Sequence, residues 1–417
     1  MTAVVVIVFS LIVLRVCSFG FFYPLSSENR SNPYFLGDDW VPMSIEDAAK
    51  YLTPYEVCAL QYGEGKQVCE VYFEHVDEEL TSCHVFSEGI VNKCPNKFGA
   101  LFRHSSTVWP HSRNMLHLIK LMTDRGSNTL FLIGDSMTQQ HFFDIQCSLL
   151  RFQIPVKHRN IPHSDLYHRE LLLRDPVSLQ FLDPPFFQIH FIKYDSMSLE
   201  AWSALLDNML GRNSPALAIV GKPVLIVNTG LHFSNEEQLR QGARAFLTPL
   251  VRLASSDRGL VVFRETSAQH FSSLHGMYET VGDTRGGGPR EGVSIDIAHL
   301  PQDAAKMVFG GGRASEEEDM RRAQWPEFKV GCVPLDGWES FEQQNWRNRL
   351  IRTMLSDELD VKGHIQIAAF YRITAGRHDF HLHMYDCTHY CHGPMMWIPL
   401  TQNIYSIVNS TLSPIPI

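Results

Sequence analysis

Three short segments hold side chains suited to acyl chemistry. In "TLFLIGDSMTQQHFFDIQCSLL", residues 129–150, an apolar run ends at Gly134-Asp135-Ser136, and the following segment puts Phe142, Ile145 and Leu149 on one helical face. A hydroxyl between a strand and a helix N-terminus sits beside free backbone N–H groups that stabilise negative charge. Such a serine is placed to attack a carbonyl while the same amides hold the oxyanion. Asp135 or Ser136 would serve equally as an N-cap, so the stretch alone leaves both readings open.

A serine nucleophile needs a base, and the base needs a group that orients it. In "RHDFHLHMYDCTHYCHGPMMWIPLTQNIY", Asp386 and His389 are three residues apart, so one loop can present both, with Cys387 and Cys391 flanking them as tethers. His378, His381, His383 and His392 crowd the same region, but "HLH" alternates as a strand does and has no ligand spacing. They read as ordinary hydrogen-bonding histidines, and no metal is expected. The third segment, "PVLIVNTGLHF", places Asn228 just past an apolar run. Its amide suits an oxyanion and Gly230 leaves room for a ligand, although Asn-Thr-Gly is also plain turn chemistry.

The elements that must position these groups alternate. Thr129–Ile133, Pro223–Val227, Leu260–Phe263 and Ile365–Phe370 read as buried strands bounded by turn residues. Between them lie amphipathic stretches. One begins at Ser234, where "SNEE" has the form of a capping box, and continues with Leu239, Ala243, Phe246, Leu250 and Leu253 on one face. Another, "ESFEQQNWRNRLIRTML", aligns Trp346, Leu350 and Met354. Strand and helix in alternation predict a mostly parallel sheet covered on both faces, a three-layer α/β domain over residues 111–417. Residues 24–110, rich in cysteine, aromatics and acids, read as a stapled, loop-rich region packed on that domain. The Gly-rich, charged stretch between Val281 and Pro326 reads as exposed insertions.

Composition sets the remaining bounds. With 417 residues, 44% of them hydrophobic, the chain can bury a large core, and a formal net charge of -9 argues against a nucleic-acid surface. Residues 1–23 form an apolar run interrupted by Arg15, which reads as a secretory signal peptide or a single-pass signal anchor. Setting aside Cys17, the even set Cys58, Cys69, Cys83, Cys94, Cys147, Cys332, Cys387 and Cys391 suits an oxidising lumen, with no pairing assigned. The glycosylation triplets at Asn29 and Asn409 agree with that compartment.

Gly134-Asp135-Ser136, Asn228 in "VLIVNTGLHF" and the late "DCTHYC" together resemble the GDSL/SGNH superfamily. Within it, the chain is similar to the PC-esterase group that includes the plant trichome birefringence-like proteins. Cys147 in "DIQCSLL" and "VVFRETSAQHF", residues 261–271, add to the likeness, which spans most of residues 60–410. The resemblance implies an SGNH-like α/β fold, an acyl-serine mechanism and action on polysaccharide or glycoconjugate hydroxyls in the secretory pathway, usually O-acetylation in the Golgi. Carried over, Ser136 is the nucleophile, His389 the base and Asp386 its orienter; Asn228, Gly134, Asp135 and Gln139 border the oxyanion and substrate. No tightly bound cofactor is implied; the acyl donor, acetyl-CoA or another acetyl donor, is a co-substrate. Relatives commonly carry Arg three residues after the serine, where this chain has Gln139. O-acyl transfer, deacetylation by the same residues, and glycan binding without turnover are the functions to separate.

Overall fold

Short runs rich in β-branched and aromatic residues, each long enough for a strand and too short for a helix, build the sheet at the centre of the chain. The structure, a computed structural model, describes residues 40–42, 102–104, 115–151, 154, 156–160, 168–175, 182, 186–194, 199–210, 221–233, 235–270, 332, 334–335, 337–383, 386–390 and 394–413. All of these fall within Leu36–Ile417, which clusters as a single unit. The expected leader at 1–23, the expected insertions between Val281 and Pro326, and most of the cysteine-rich region lie outside the described residues. From that region the structure describes β1 (Trp40–Pro42) and β2 (Phe102–His104), an antiparallel pair.

The main sheet has the order β4-β5-β6-β3-β7-β8-β9. Its members are β3 (Thr129–Gly134), β4 (Val156–Asn160), β5 (His168–Leu173), β6 (Phe187–Lys193), β7 (Val224–Val227), β8 (Leu260–Arg264) and β9 (Gln366–Ala368). The run from β6 to β9 is parallel, whereas β4 and β5 add antiparallel strands at one edge. Strands covered on both faces need apolar residues at every position, and β3, β7 and β8 are buried throughout.

Alternation along the strands divides the core. Leu130, Leu132, Val224, Ile226 and Val262 face α1 (Met115–Asp124), α2 (Ser136–Arg151) and the long α8 (Pro394–Thr411). Phe131, Ile133, Leu225, Val227 and Phe263 face α3 (Leu199–Leu210), α4 (Glu236–Ser255) and α6 (Trp346–Thr353). The chain is therefore a mixed α/β structure with a mostly parallel sheet between two helical layers.

Three local expectations change in detail. The α4 cap is Asn235, whose side chain accepts from the Gln238 N–H, and not Ser234, which lies outside the described residues; the apolar face from Leu239 to Leu253 is buried as its spacing requires. "ESFEQQNWRNRLIRTML" divides at Asn345 into α5 (Gly337–Gln344) and α6, followed by a π-helical turn, Met354–Leu359. The last strand stops at Ala368 because Glu265 draws the next segment out of the sheet. Its Oε2 accepts from the N–H groups of Phe370 and Tyr371, at 2.9 and 3.1 Å, and starts α7 (Tyr371–Ala375).

Candidate active site

β3 is the point where the sheet order reverses, because the strands that follow it in sequence pair first on its β6 side and then on its β7 side. Ligands in parallel α/β sheets collect beyond the carboxyl end of such a strand. Ser136 stands there, as the first residue of α2. The capping role falls to its neighbour: Asp135 Oδ1 accepts from the N–H groups of Met137, at 3.0 Å, and Thr138, at 3.3 Å. The Ser136 hydroxyl is thereby left for another partner, His389 Nε2, 2.7 Å away across 253 residues of sequence. With Nε2 unprotonated, the hydroxyl donates to it.

Gly134 lets the turn form. A Cβ there would lie 2.4 Å from Thr138 Oγ1 and 2.8 Å from the Asn228 carbonyl oxygen, so only glycine lets the β3 and β7 ends approach this closely. Beneath the turn, Arg264 at the end of β8 is fully buried. Its Nη2 donates to Thr138 Oγ1 at 3.1 Å and faces Asp135 Oδ1 at 3.9 Å, and its guanidinium stacks over Phe370. Burial pushes the Arg264 pKa down to about 10, with Asp135 acting in the opposite sense. A fixed positive charge thus stands behind the turn, supplied by a distant strand. Gln139 is half-buried on α2.

His389 is carried by β11 (Asp386–Tyr390), paired with β10 (His381–His383). His381 pairs with Tyr390 and His383 with Asp386, so two residues of advance on one strand meet four on the other. The second strand bulges, and the alternation that would put residues three apart on opposite faces is broken between Asp386 and His389. Asp386 opens β11; its side chain lies outside the described residues.

The base strand is fastened residue by residue. Gln269 Nε2 donates to Thr388 Oγ1 at 3.0 Å, and the His270 N–H donates to the Cys387 carbonyl at 3.0 Å. Cys387 and Cys332 meet as a disulfide, their Cα atoms 5.3 Å apart. Gln140 grips Tyr390 as a neighbouring strand would: its Nε2 donates to the Tyr390 carbonyl, at 3.0 Å, and its Oε1 accepts the Tyr390 N–H, at 3.2 Å. Gln140 lies one helical turn after Ser136, on the same face of α2, so it ties the nucleophile's helix directly to the base's strand.

Asn228 does other work than its sequence position suggested. Its Nδ2 donates to the Arg264 carbonyl at 2.9 Å and lies 3.4 Å from Thr266 Oγ1, and the side chain is 1% exposed. In this structure the amide therefore ties the β7 and β8 loops together. The reason is the packing of two adjacent parallel strand ends, each of which needs its loop's polar backbone satisfied. Gly230, at φ 137° and with Thr266 Oγ1 2.8 Å from where a Cβ would lie, belongs to this close approach. One donor beside the nucleophile is the backbone N–H of Ser136, which makes no hydrogen bond among the described residues.

Residues to which sequence reasoning gave no role at the site hold this arrangement: Gln140, Arg264, Gln269, His270 and His381, the last read only as a hydrogen-bonding histidine. The one-turn spacing of Gln140 from Ser136 and the "VVFRETSAQHF" stretch that holds Arg264, Gln269 and His270 were legible signals, but their partners lie in distant segments. His141, also on α2, is fully buried, stacks on Trp397 with ring centroids 4.8 Å apart, and leaves both ring nitrogens without a hydrogen-bond partner. Burial, assisted by the Arg264 charge, holds its pKa well below the ordinary histidine value. No protein-family model matches the chain, and no match is found among curated proteins.

Proposed function

We propose that the protein is a serine-dependent acyltransferase of the GDSL/SGNH type, similar to the PC-esterase group, which moves an acetyl group onto a hydroxyl of a polysaccharide or glycoconjugate. The observation that carries this reading is the 2.7 Å contact between Ser136 Oγ and His389 Nε2, made by two residues from opposite ends of the α/β region.

His389 takes the Ser136 proton as Oγ attacks the acyl carbonyl, and the Ser136 N–H donates to the oxyanion that forms. The tetrahedral intermediate collapses, the donor leaves with the proton from His389, and an acetyl ester remains on Ser136. His389 then deprotonates the acceptor hydroxyl, which attacks the ester and regenerates the serine. Asp386, by resemblance, steadies the imidazolium. Water in place of the glycan makes the same residues an esterase. The donor, acetyl-CoA or another acetyl ester, is a co-substrate. The disulfide at Cys387 and the apolar leader at 1–23 agree with work in the secretory pathway, in the Golgi lumen or beyond.

The test is labelling of the purified chain by a serine-reactive phosphonate, followed by acetate release from a generic acetyl ester with and without glycan acceptors. Labelling is expected to vanish in Ser136→Ala and His389→Ala, with acetyl passing to the glycan when one is present. Free acetate at the same rate with and without acceptor makes the enzyme an esterase. A folded parent that neither labels nor turns over, yet binds glycan, overturns the catalytic reading.

A further inference from the structure

The carbonyl of His389 accepts from His381 Nδ1 at 3.0 Å, and His381 Nε2 lies 2.7 Å from His270 Nδ1, whose ring reaches the Ala375 carbonyl through Nε2 at 2.9 Å. Both rings are buried, at 0% exposure for His270 and 2% for His381. Carbonyl oxygens only accept, so His270 Nε2 and His381 Nδ1 must each carry a hydrogen. Two neutral imidazoles hold one ring N–H each, and those two are now used. The remaining contact, Nδ1 of one ring to Nε2 of the other, still needs a hydrogen between the nitrogens; without one, two lone pairs would face each other at 2.7 Å.

We infer that His270 and His381 share one proton beyond the neutral count, and that this buried imidazolium pair is the positioning device for the base strand. The inference rests on His389 being the catalytic base. The pair joins the end of α7, the segment after β8, and β10 to the backbone of His389 itself, so it sets where that imidazole stands relative to Ser136.

An aromatic ring borders the pair. Tyr390 of β11 stacks on the His381 ring at 4.2 Å between centroids and meets the His270 ring edge-on, while its hydroxyl donates to the Ala268 carbonyl at 2.8 Å. Among the described residues, His378 lies 6.3 Å from His270 between ring centroids, and Arg377 of the same short segment is buried with its guanidinium over Phe380. Raising the pH removes the shared proton and opens the contact between the rings, so His381, and the His389 carbonyl it still holds, lose their tie to His270 and the end of α7. His389 acts as a base only when neutral, so its own titration makes the rate rise with pH. Arg264, which burial brings to a pKa of about 10, is untouched in His270→Asn, so an alkaline fall that this variant abolishes belongs to the pair.

Full-length parent, His270→Asn and His270→Phe proteins test this by pH–rate profiles of acetyl-ester turnover and by ring-nitrogen NMR of the Ser136→Ala chain. Asparagine can place an amide N–H where the shared proton was and leave His381 neutral. It should keep a reduced rate, about threefold below the parent, with no alkaline fall. Phenylalanine supplies no donor and should lower kcat by at least about tenfold at every pH, with KM nearly unchanged. The NMR spectra should show three ring protons on the pair in neutral solution, whether or not the parent turns over any ester. An alkaline fall that persists in His270→Asn, or spectra with both rings neutral, overturns the inference. A parent without turnover whose spectra show the shared proton overturns the proposed function and leaves the pair intact.

Discussion

Gln140→Met removes the grip of α2 on the base strand at nearly constant side-chain length. The parent amide satisfies both backbone groups of Tyr390, at 3.0 and 3.2 Å in a partly buried setting, and methionine satisfies neither. An unmet backbone group in such a place costs about 1 kcal/mol, at the lower end of the range for buried groups, so the pair amounts to about 2 kcal/mol. Charged against the geometry that brings His389 to Ser136, that energy corresponds to a roughly thirtyfold loss in the productive fraction, if the strand relaxes away rather than the whole fold melting. The assay is the second-order rate of Ser136 labelling by a phosphonate, read beside the melting temperature. Slower labelling by about ten- to thirtyfold with a modest drop in melting temperature is expected. Gln140→Glu should be at least as slow, because its carboxylate meets the Tyr390 carbonyl without a donor. Labelling of Gln140→Met within about twofold of the parent would refute the reasoning and leave positioning to the Gln269 and His381 contacts.

Two further outcomes concern stability. His141 is neutral in the folded chain because burial depresses its pKa, whereas in the unfolded chain it protonates below the ordinary histidine value of 6.5. Its contribution is therefore intact above that pH and is lost as pH falls, with a slope of up to about 1.4 kcal/mol per pH unit. His141→Phe, which keeps the stacking on Trp397 and deletes two unpaired ring nitrogens, should flatten that part of the acid slope and raise stability by about 1 kcal/mol or more in denaturant titrations; an unchanged slope would sink the assignment. The Cys332–Cys387 link closes a separation of 55 residues, which a chain-entropy estimate values at about 4 kcal/mol. Cys332→Ser should lower the denaturant midpoint and slow Ser136 labelling, and a midpoint equal to that of the oxidised parent would show that the link does not constrain the fold.

Much of the scaffold was legible because its signals are local. Buried strands must be apolar throughout, which gave away β3, β7 and β8, and the helical spacing from Leu239 to Leu253 gave away the buried face of α4. The break at Asn345 and the shortening of β9 were not legible, since they follow from partners far away in sequence, Glu265 among them.

Types, order and spacing along the chain were enough to single out Ser136 and His389, because a hydroxyl at a strand end and an imidazole beside a carboxylate are recognisable without knowing what lies between them. Tertiary structure decided everything that depends on who faces whom: Asp135 as the cap that releases the serine, Asn228 spent on the Arg264 carbonyl, and the grip of Gln140, Gln269 and His381 on β11. Hydrogen bonds act over about 3 Å, and a linear sequence records no distance between residues hundreds of positions apart; only folding brings such donors and acceptors within that reach.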